Sequence, residues 1–136
     1  MDLAEARTFL QAHRRAVLAT WRRDGRIQLS PIVVGIDAEG RAIVSSRETA
    51  YKTKNLRRHG RASLCVFVDD FYGPWVQVDG TAEVVSLPQA MELLVDYYRR
   101  VAGEHADWDD YRRAMAREKR VLIRITMESA GPDRKG

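Results

Sequence analysis

Two short turns constrain this chain more than any other feature: Asp24 with Gly25, and residues 37–40 (DAEG). Each leaves too little chain for a helix between the apolar stretches it joins. Residues 14–21 (RRAVLATW) read as a strand, residues 26–36 (RIQLSPIVVGI) return beside it, and residues 41–46 (RAIVSS) follow the second turn. Three consecutive strands joined in this way form an antiparallel meander. Pro31 has no N–H to give to a ladder, so the second strand carries either a bulge or a locally unpaired edge.

The remaining elements follow from period and punctuation. Residues 61–68 (RASLCVFV) are nearly all apolar, as a central strand would be; residues 75–86 (WVQVDGTAEVVS) alternate, with Gly80 as a bulge or bend. The loop between them, DDFYGP, is rich in turn formers. Residues 2–12 show helical spacing, with Leu3, Ala6, Phe9 and Leu10 on one face. Pro88 suits the first turn of a helix that carries Met91, Leu94, Val95, Tyr98 and Val101 and stops at Gly103. Asp107 is a good N-cap for a further helix, reaching about Lys119. Residues 120–127 (RVLIRITM) make a last strand, and residues 129–136 a polar tail expected to fray. The expected fold is mainly β with helices (α+β): one antiparallel barrel of about six strands over residues 1–128. A length of 136 residues suits one such domain.

Charge and cysteine content narrow the function classes. The net charge is +4, but the cations are scattered over many segments, with no recognition helix, zinc-finger spacing or aromatic RNA-binding signature beside them. A nucleic-acid partner is therefore not expected, whereas a modest basic excess suits an anionic small molecule. No apolar run approaches the roughly 20 residues of a membrane span, and MDLAEARTFL lacks the basic-then-apolar layout of a secretion signal. Cys65 lies in the apolar run SLCVFV and reads as a buried thiol. A single cysteine allows no internal disulfide, which fits a reducing cytoplasm.

The chemistry-bearing stretch is residues 45–58, SSRETAYKTKNLRR, where a strand end runs into a basic helix. Backbone N–H groups at a helix start favour an anion, and the nearby Lys and Arg side chains add positive charge. Two readings stand: a phosphate-type anion site, or a helix with a solvated basic face. Gln28 and Ser30 share one strand face and either hydrogen-bond a heteroaromatic edge or face solvent. Gln77 has the same two readings, and Trp75 is either a stacking platform or a core or interface anchor. No nucleotide-binding glycine loop, zinc spacing or nucleophile elbow occurs, and no metal site is expected. His13, His59 and His105 fall at element ends, and the acids within residues 107–110 lie at a helix start, where they complement the dipole. An enzyme with so little side-chain chemistry would rely on a cofactor to carry the reaction.

Taken together, these segments resemble the FMN-binding split β-barrel family related to pyridoxamine 5′-phosphate oxidase. More narrowly, they resemble its deazaflavin (F420)-dependent branch, found mainly in actinobacteria. The likeness is carried by RRAVLATWRRDGRIQLSPI, by SSRETAYKTKNLRRHGRASLCV with KTKNLRR its most specific piece, by WVQVDGTAEV and by VAGEHADWDDYRRAMAREKRVLIRI. The order and spacing of these pieces, over residues 10–125, weigh more than any one motif.

The resemblance implies a homodimer with two cofactor sites at the subunit interface. It implies a cofactor phosphate against residues 45–52, with Lys52 the first cation and Ser45 and Ser46 as hydroxyl or backbone donors. By the same analogy the strand bearing Gln28, Ser30 and Pro31 lines the ring, and Trp75 and Gln77 belong to the site wall. There are departures. Many relatives carry an arginine two residues before the lysine, where this chain has Ala50; Arg47 could substitute from the other side of the turn. The substrate-binding Arg and His of pyridoxamine phosphate oxidases proper lie near a longer C-terminus, so that activity is not carried over. FMN and F420 share a tricyclic ring and a phosphate-bearing arm; the acidic tail of F420 suits the surplus of arginine. The implied function is hydride transfer between F420, or alternatively FMN, and a small unsaturated or planar substrate. The alternative from another class is a non-catalytic binder of F420, flavin or a related tetrapyrrole.

Overall fold

A computed structural model describes residues 1–135, and its sheet accounts for the alternation in the sequence. In β1 (Arg15–Trp21), Ala16, Leu18 and Thr20 are buried; in β5 (Arg61–Phe67), Ala62, Leu64 and Val66. In β7 (Arg120–Lys135), Val121, Ile123, Ile125 and Met127 are buried as well. Side chains two apart share a face, so the apolar ones among these meet in one core inside the curled sheet. Intervening residues look outward. Cys65 is one of them: expected as a buried thiol, it is exposed, because Leu64 and Val66 take the interior positions on either side.

The other strands are β2 (Ile27–Val33), β3 (Gly35–Ile36), β4 (Ala42–Arg47) and β6 (Pro74–Val85). All pairings are antiparallel, in the order β2-β1-β5-β6-β7-β4-β3. The two ends of that order, β2 and β3, are separated in sequence only by the buried Val34. The sheet therefore curls until its edges adjoin, and the single strand expected over residues 26–36 is divided between both edges. The result is a split barrel of the expected class.

Local chemistry fits this path. Pro31 stands opposite Val17 with no break in register, so it makes an edge rather than a bulge, and its missing N–H interrupts no ladder. Gly80 does mark a register shift, between Asp79 and Gly80. A Cβ there would lie 2.1 Å from the carbonyl oxygen of Thr126, so β7 can approach this closely only because the residue is glycine.

The last strand runs past Met127. β6 has 12 residues against the seven of β5, and its first half takes a partner on its other side. Residues 129–135 supply it, with Val76 opposite Asp133 and Pro74 opposite Lys135. The Met1 ammonium pairs with Asp133 at 2.8 Å and ties the two termini together. The polar tail expected from residue 129 is thus sheet as far as Lys135, and Gly136 lies outside the described residues. Polarity misleads here because a ladder is made by backbone groups, whatever side chains they carry.

Four helices cover the barrel: α1 (Leu3–Ala12), α2 (Tyr51–Arg58), α3 (Ala90–Ala102) and α4 (Trp108–Arg117). Asp2 caps α1 by accepting from the Glu5 N–H at 2.8 Å, and Asp107 caps α4 through the Asp110 N–H at 3.1 Å. α3 and α4 pack Leu94, Val95, Tyr111 and Met115 onto Ile43 and Leu122, the outward residues of β4 and β7. This second core holds the helical pair as a wall beside the split in the sheet. Among the described residues, no helix is long and apolar enough to cross a membrane, and no His, Cys, Asp and Glu side chains gather as a metal-binding group.

Candidate functional site

The chain leaves β4 at Arg47 and enters α2 at Tyr51, and the adjacent serines at this junction face opposite ways. Thr53 Oγ1 donates to the Arg47 carbonyl at 2.7 Å, which leaves the Ser46 hydroxyl to donate to Thr53 Oγ1 at 2.8 Å. Both side chains are buried, and they lock the strand end to the helix start. Ser45 looks the other way, into a cavity. The helix N-cap is Ala50, which makes no side-chain cap, so the first-turn N–H groups stay available to an acceptor.

The cavity has a volume of about 670 Å³, within the range of small-molecule and cofactor sites. β2 contributes Pro31, Ile32 and Val33; β4, α2 and β7 contribute Ser45, Lys52 and Arg120; the helical wall contributes Tyr97, Tyr98, Tyr111 and Met115. Tyr97 donates its hydroxyl proton to the Val33 carbonyl at 2.7 Å, and Tyr111 to the Leu94 carbonyl at 2.8 Å. Burial pushes both phenols up, Tyr111 to about 12; at Tyr97 the backbone N–H of Ser45 pulls the other way. Neither phenol ionises near neutrality, so both present aromatic surface to the cavity.

Lys52 lines the cavity half-buried, and among the described residues it makes no hydrogen bond or ion pair with a side chain. Burial holds its pKa below the usual lysine value, and the charge of Arg120 lowers it further. Arg120 is itself anchored, donating from Nε at 3.1 Å and Nη2 at 2.8 Å to Glu118 Oε1. The same oxygen accepts from Arg47 Nη2 at 3.1 Å. These contacts, Arg120 foremost, hold the Glu118 carboxyl below its usual range. The donor set has positive charge, a free hydroxyl and open N–H groups; it fits an anionic group such as a phosphate.

Of the residues expected from sequence, the cavity brings together Lys52, Ser45 and Pro31. Ser46 is a buried strut. Gln28 lies in a different groove of about 570 Å³ with Arg22, Arg23, Tyr51, Lys54 and Arg58, because strand alternation turns it away from Pro31. Ser30, opposite Leu18, shares the Gln28 face and is half-buried. Trp75 and Gln77 stand on the outer face of β6; Trp75 lines a hollow of about 440 Å³ with Cys65 and Phe67, and Gln77 donates to Asp79 at 3.1 Å. Arg47 points to Glu118 and does not line the cavity.

The chain and its fold have known relatives. The family model of pyridoxamine 5′-phosphate oxidase matches residues 3–131. The chain belongs to that family. Solved structures of similar fold include a conserved hypothetical protein of Mycobacterium tuberculosis, at 27% identity and a TM-score of 0.76, covering 96% of this chain and 82% of that one. An F420 reductase matches at 19% identity and a TM-score of 0.71, over 91% of this chain and 94% of that one. HutZ, a heme storage protein of Vibrio cholerae, matches at 20% identity and a TM-score of 0.72, over 100% and 98%. The last two share the fold with this chain.

Several residues of this family member's cavity are invisible to a reading along the chain. Tyr98 counts as one more apolar position on a helix, and Arg120 as the start of a strand. Only the β4–β7 register, which sets Arg47 opposite Arg120, brings Arg120 to the strand that ends beside Lys52. No local signal announces it.

Proposed function

We propose that the protein is an oxidoreductase that holds deazaflavin F420, with FMN as the alternative, and transfers hydride between it and a small unsaturated or planar substrate. The observation that carries this reading is one cavity joining Lys52, a half-buried cation in the first turn of α2 with no side-chain partner among the described residues, to Ser45. A bound deazaflavin or flavin would supply the hydride chemistry itself. The chain's own part is to neutralise the phosphate with Lys52 and the α2 N–H groups, to bed the ring near Pro31, and to keep water out with Tyr97, Tyr98 and Tyr111. The F420 reductase among the structural neighbours favours F420, as does the arginine surplus.

The reading includes a homodimer. The outer face of β2 leaves Ile27, Leu29 and Val33 50%, 62% and 46% exposed, an apolar strip better covered than wet. Trp75 and Gln77 lie on the outer side of the same sheet, so they would meet a cofactor only across to a second copy. The test is a paired titration of purified protein with F420 and FMN, followed by fluorescence or calorimetry. Tight F420 and weak FMN binding is the expected result; binding of neither would remove the cofactor assignment.

A second reading is favoured by one observation, the heme storage protein matched along almost its whole length. In it the protein stores or carries a cofactor or tetrapyrrole without turnover. A hemin titration that gives a saturable Soret change, with no affinity for F420 or FMN, would select it.

A further inference from the structure

β4 and β7 set two arginines directly opposite each other, Arg47 and Arg120. Like charges facing across a ladder repel, and here a single carboxylate answers both. Glu118 Oε1 takes one hydrogen bond from Arg47 and two from Arg120, so the three groups keep one positive charge in surplus. The two arginines differ in outlook. Arg47 is exposed and outside the cavity, whereas Arg120 is half-buried and lines it. Glu118 holds the Arg120 guanidinium through Nε and Nη2; Nη1 donates to no group among the described residues. A planar fork fixed along one side and free at its other nitrogen is oriented for an oxyanion.

We propose that Arg120 and Lys52 form a two-cation clamp for one phosphate group, with Glu118 as the positioning residue that aims the guanidinium. Lys52 acts as a point charge and Arg120 as a directional donor. The proximity by which the Arg120 charge lowers the Lys52 pKa becomes favourable when an anion lies between them. The inference rests on the cofactor reading for the source of the phosphate, but not for the geometry of the clamp.

FMN and riboflavin differ only in the phosphate, so their affinity ratio isolates the clamp. Arg120→Ala should cut FMN affinity about tenfold or more while riboflavin affinity moves less than about threefold, the loss of a charge-assisted contact. Arg120→Lys, which keeps charge without the fork, should fall between, and should fold if the alanine variant does not. Arg47→Ala touches the same carboxylate and should leave the ratio unchanged. The same series with F420 and its phosphate-free chromophore covers the deazaflavin. Equal losses for FMN and riboflavin, or an Arg47→Ala effect as large as that of Arg120→Ala, would overturn the clamp while leaving the cofactor reading in place. If wild type binds no flavin or deazaflavin, that reading falls, and inorganic phosphate becomes the probe. Phosphate binding that is lost in Arg120→Ala then supports the clamp alone, and no phosphate binding overturns it too.

Discussion

Lys52 and Arg57 leave the same helix little more than one turn apart, and their surroundings are opposite. Arg57 Nη2 donates to both Glu48 Oε1 and Ser86 Oγ, and Ser86 Oγ donates to Glu48 Oε2 at 2.9 Å. That charge is answered within the chain. Among the described residues Lys52 has no such partner, and the charged neighbour that most affects it is another cation, Arg120. A cation answered internally serves the architecture, and its removal should register in stability. A half-buried cation beside a like charge raises the energy of the folded protein, and an incoming anion relieves it. Its removal should register in binding.

The largest expected effect tests that contrast directly. Lys52→Ala should weaken F420 or FMN binding by about 10- to 100-fold, the value of a charge-assisted hydrogen bond, with little change in unfolding. Arg57→Ala should leave the same affinity within about threefold, since the two sites share no partner. Calorimetric titration of both variants decides it, and equal losses would break the comparison. A pH series sharpens it. Lys52 binds an anion best when protonated, so affinity should fall as pH rises through its lowered pKa, and in Lys52→Ala that fall should disappear.

The adjacent serines give the next largest effect. Ser46→Ala removes the donor to Thr53 Oγ1 in a buried site and should cost about 1–2 kcal/mol in urea unfolding. Ser45→Ala should cost little stability and weaken the anion instead. Smaller again, Arg57→Ala should lose about 0.5–1 kcal/mol, because the ion pair it breaks is partly exposed. A Ser46→Ala protein as stable as wild type would mean the strut carries no load.

What could be read from the sequence divides along the same line. Elements set by local period were legible: residues 51–58 appear as α2, and Gly103 and Asp107 end one helix and begin the next. Lys52 and Ser45 were legible because a strand end, a helix start and a cation fall within a few residues. Ser46 was not separable from Ser45, since only strand direction says which serine looks inward. The division of residues 26–36 between two sheet edges was hidden because it depends on where β4 and β1 lie, and the extension of β7 to Lys135 because it depends on the length of β6. Arg120 is the sharpest case. Its place in the cavity is fixed by a register between residues more than seventy positions apart, which no motif encodes.

The smallest effect concerns the sign of Lys52's contribution to folding. Burial makes the folded protein release this proton at a lower pH than the unfolded chain, whose lysine titrates near 10.5. Between those two values the unfolded state binds more protons, so the Lys52 contribution to stability rises with pH; below the lower one its cost is fully present. Lys52→Met keeps the aliphatic stem and removes the charge. It should therefore be slightly more stable than wild type at neutral pH, by less than about 1 kcal/mol because the group is only half-buried and screened. The advantage should shrink as pH approaches 10.5. Arg57→Met should show the opposite sign at every pH, since it loses an answered charge. Urea unfolding of the two methionine variants across a pH series separates the cases. If Lys52→Met is the less stable, Lys52 has a structural partner after all, and the distinction between the two ends of α2 does not hold.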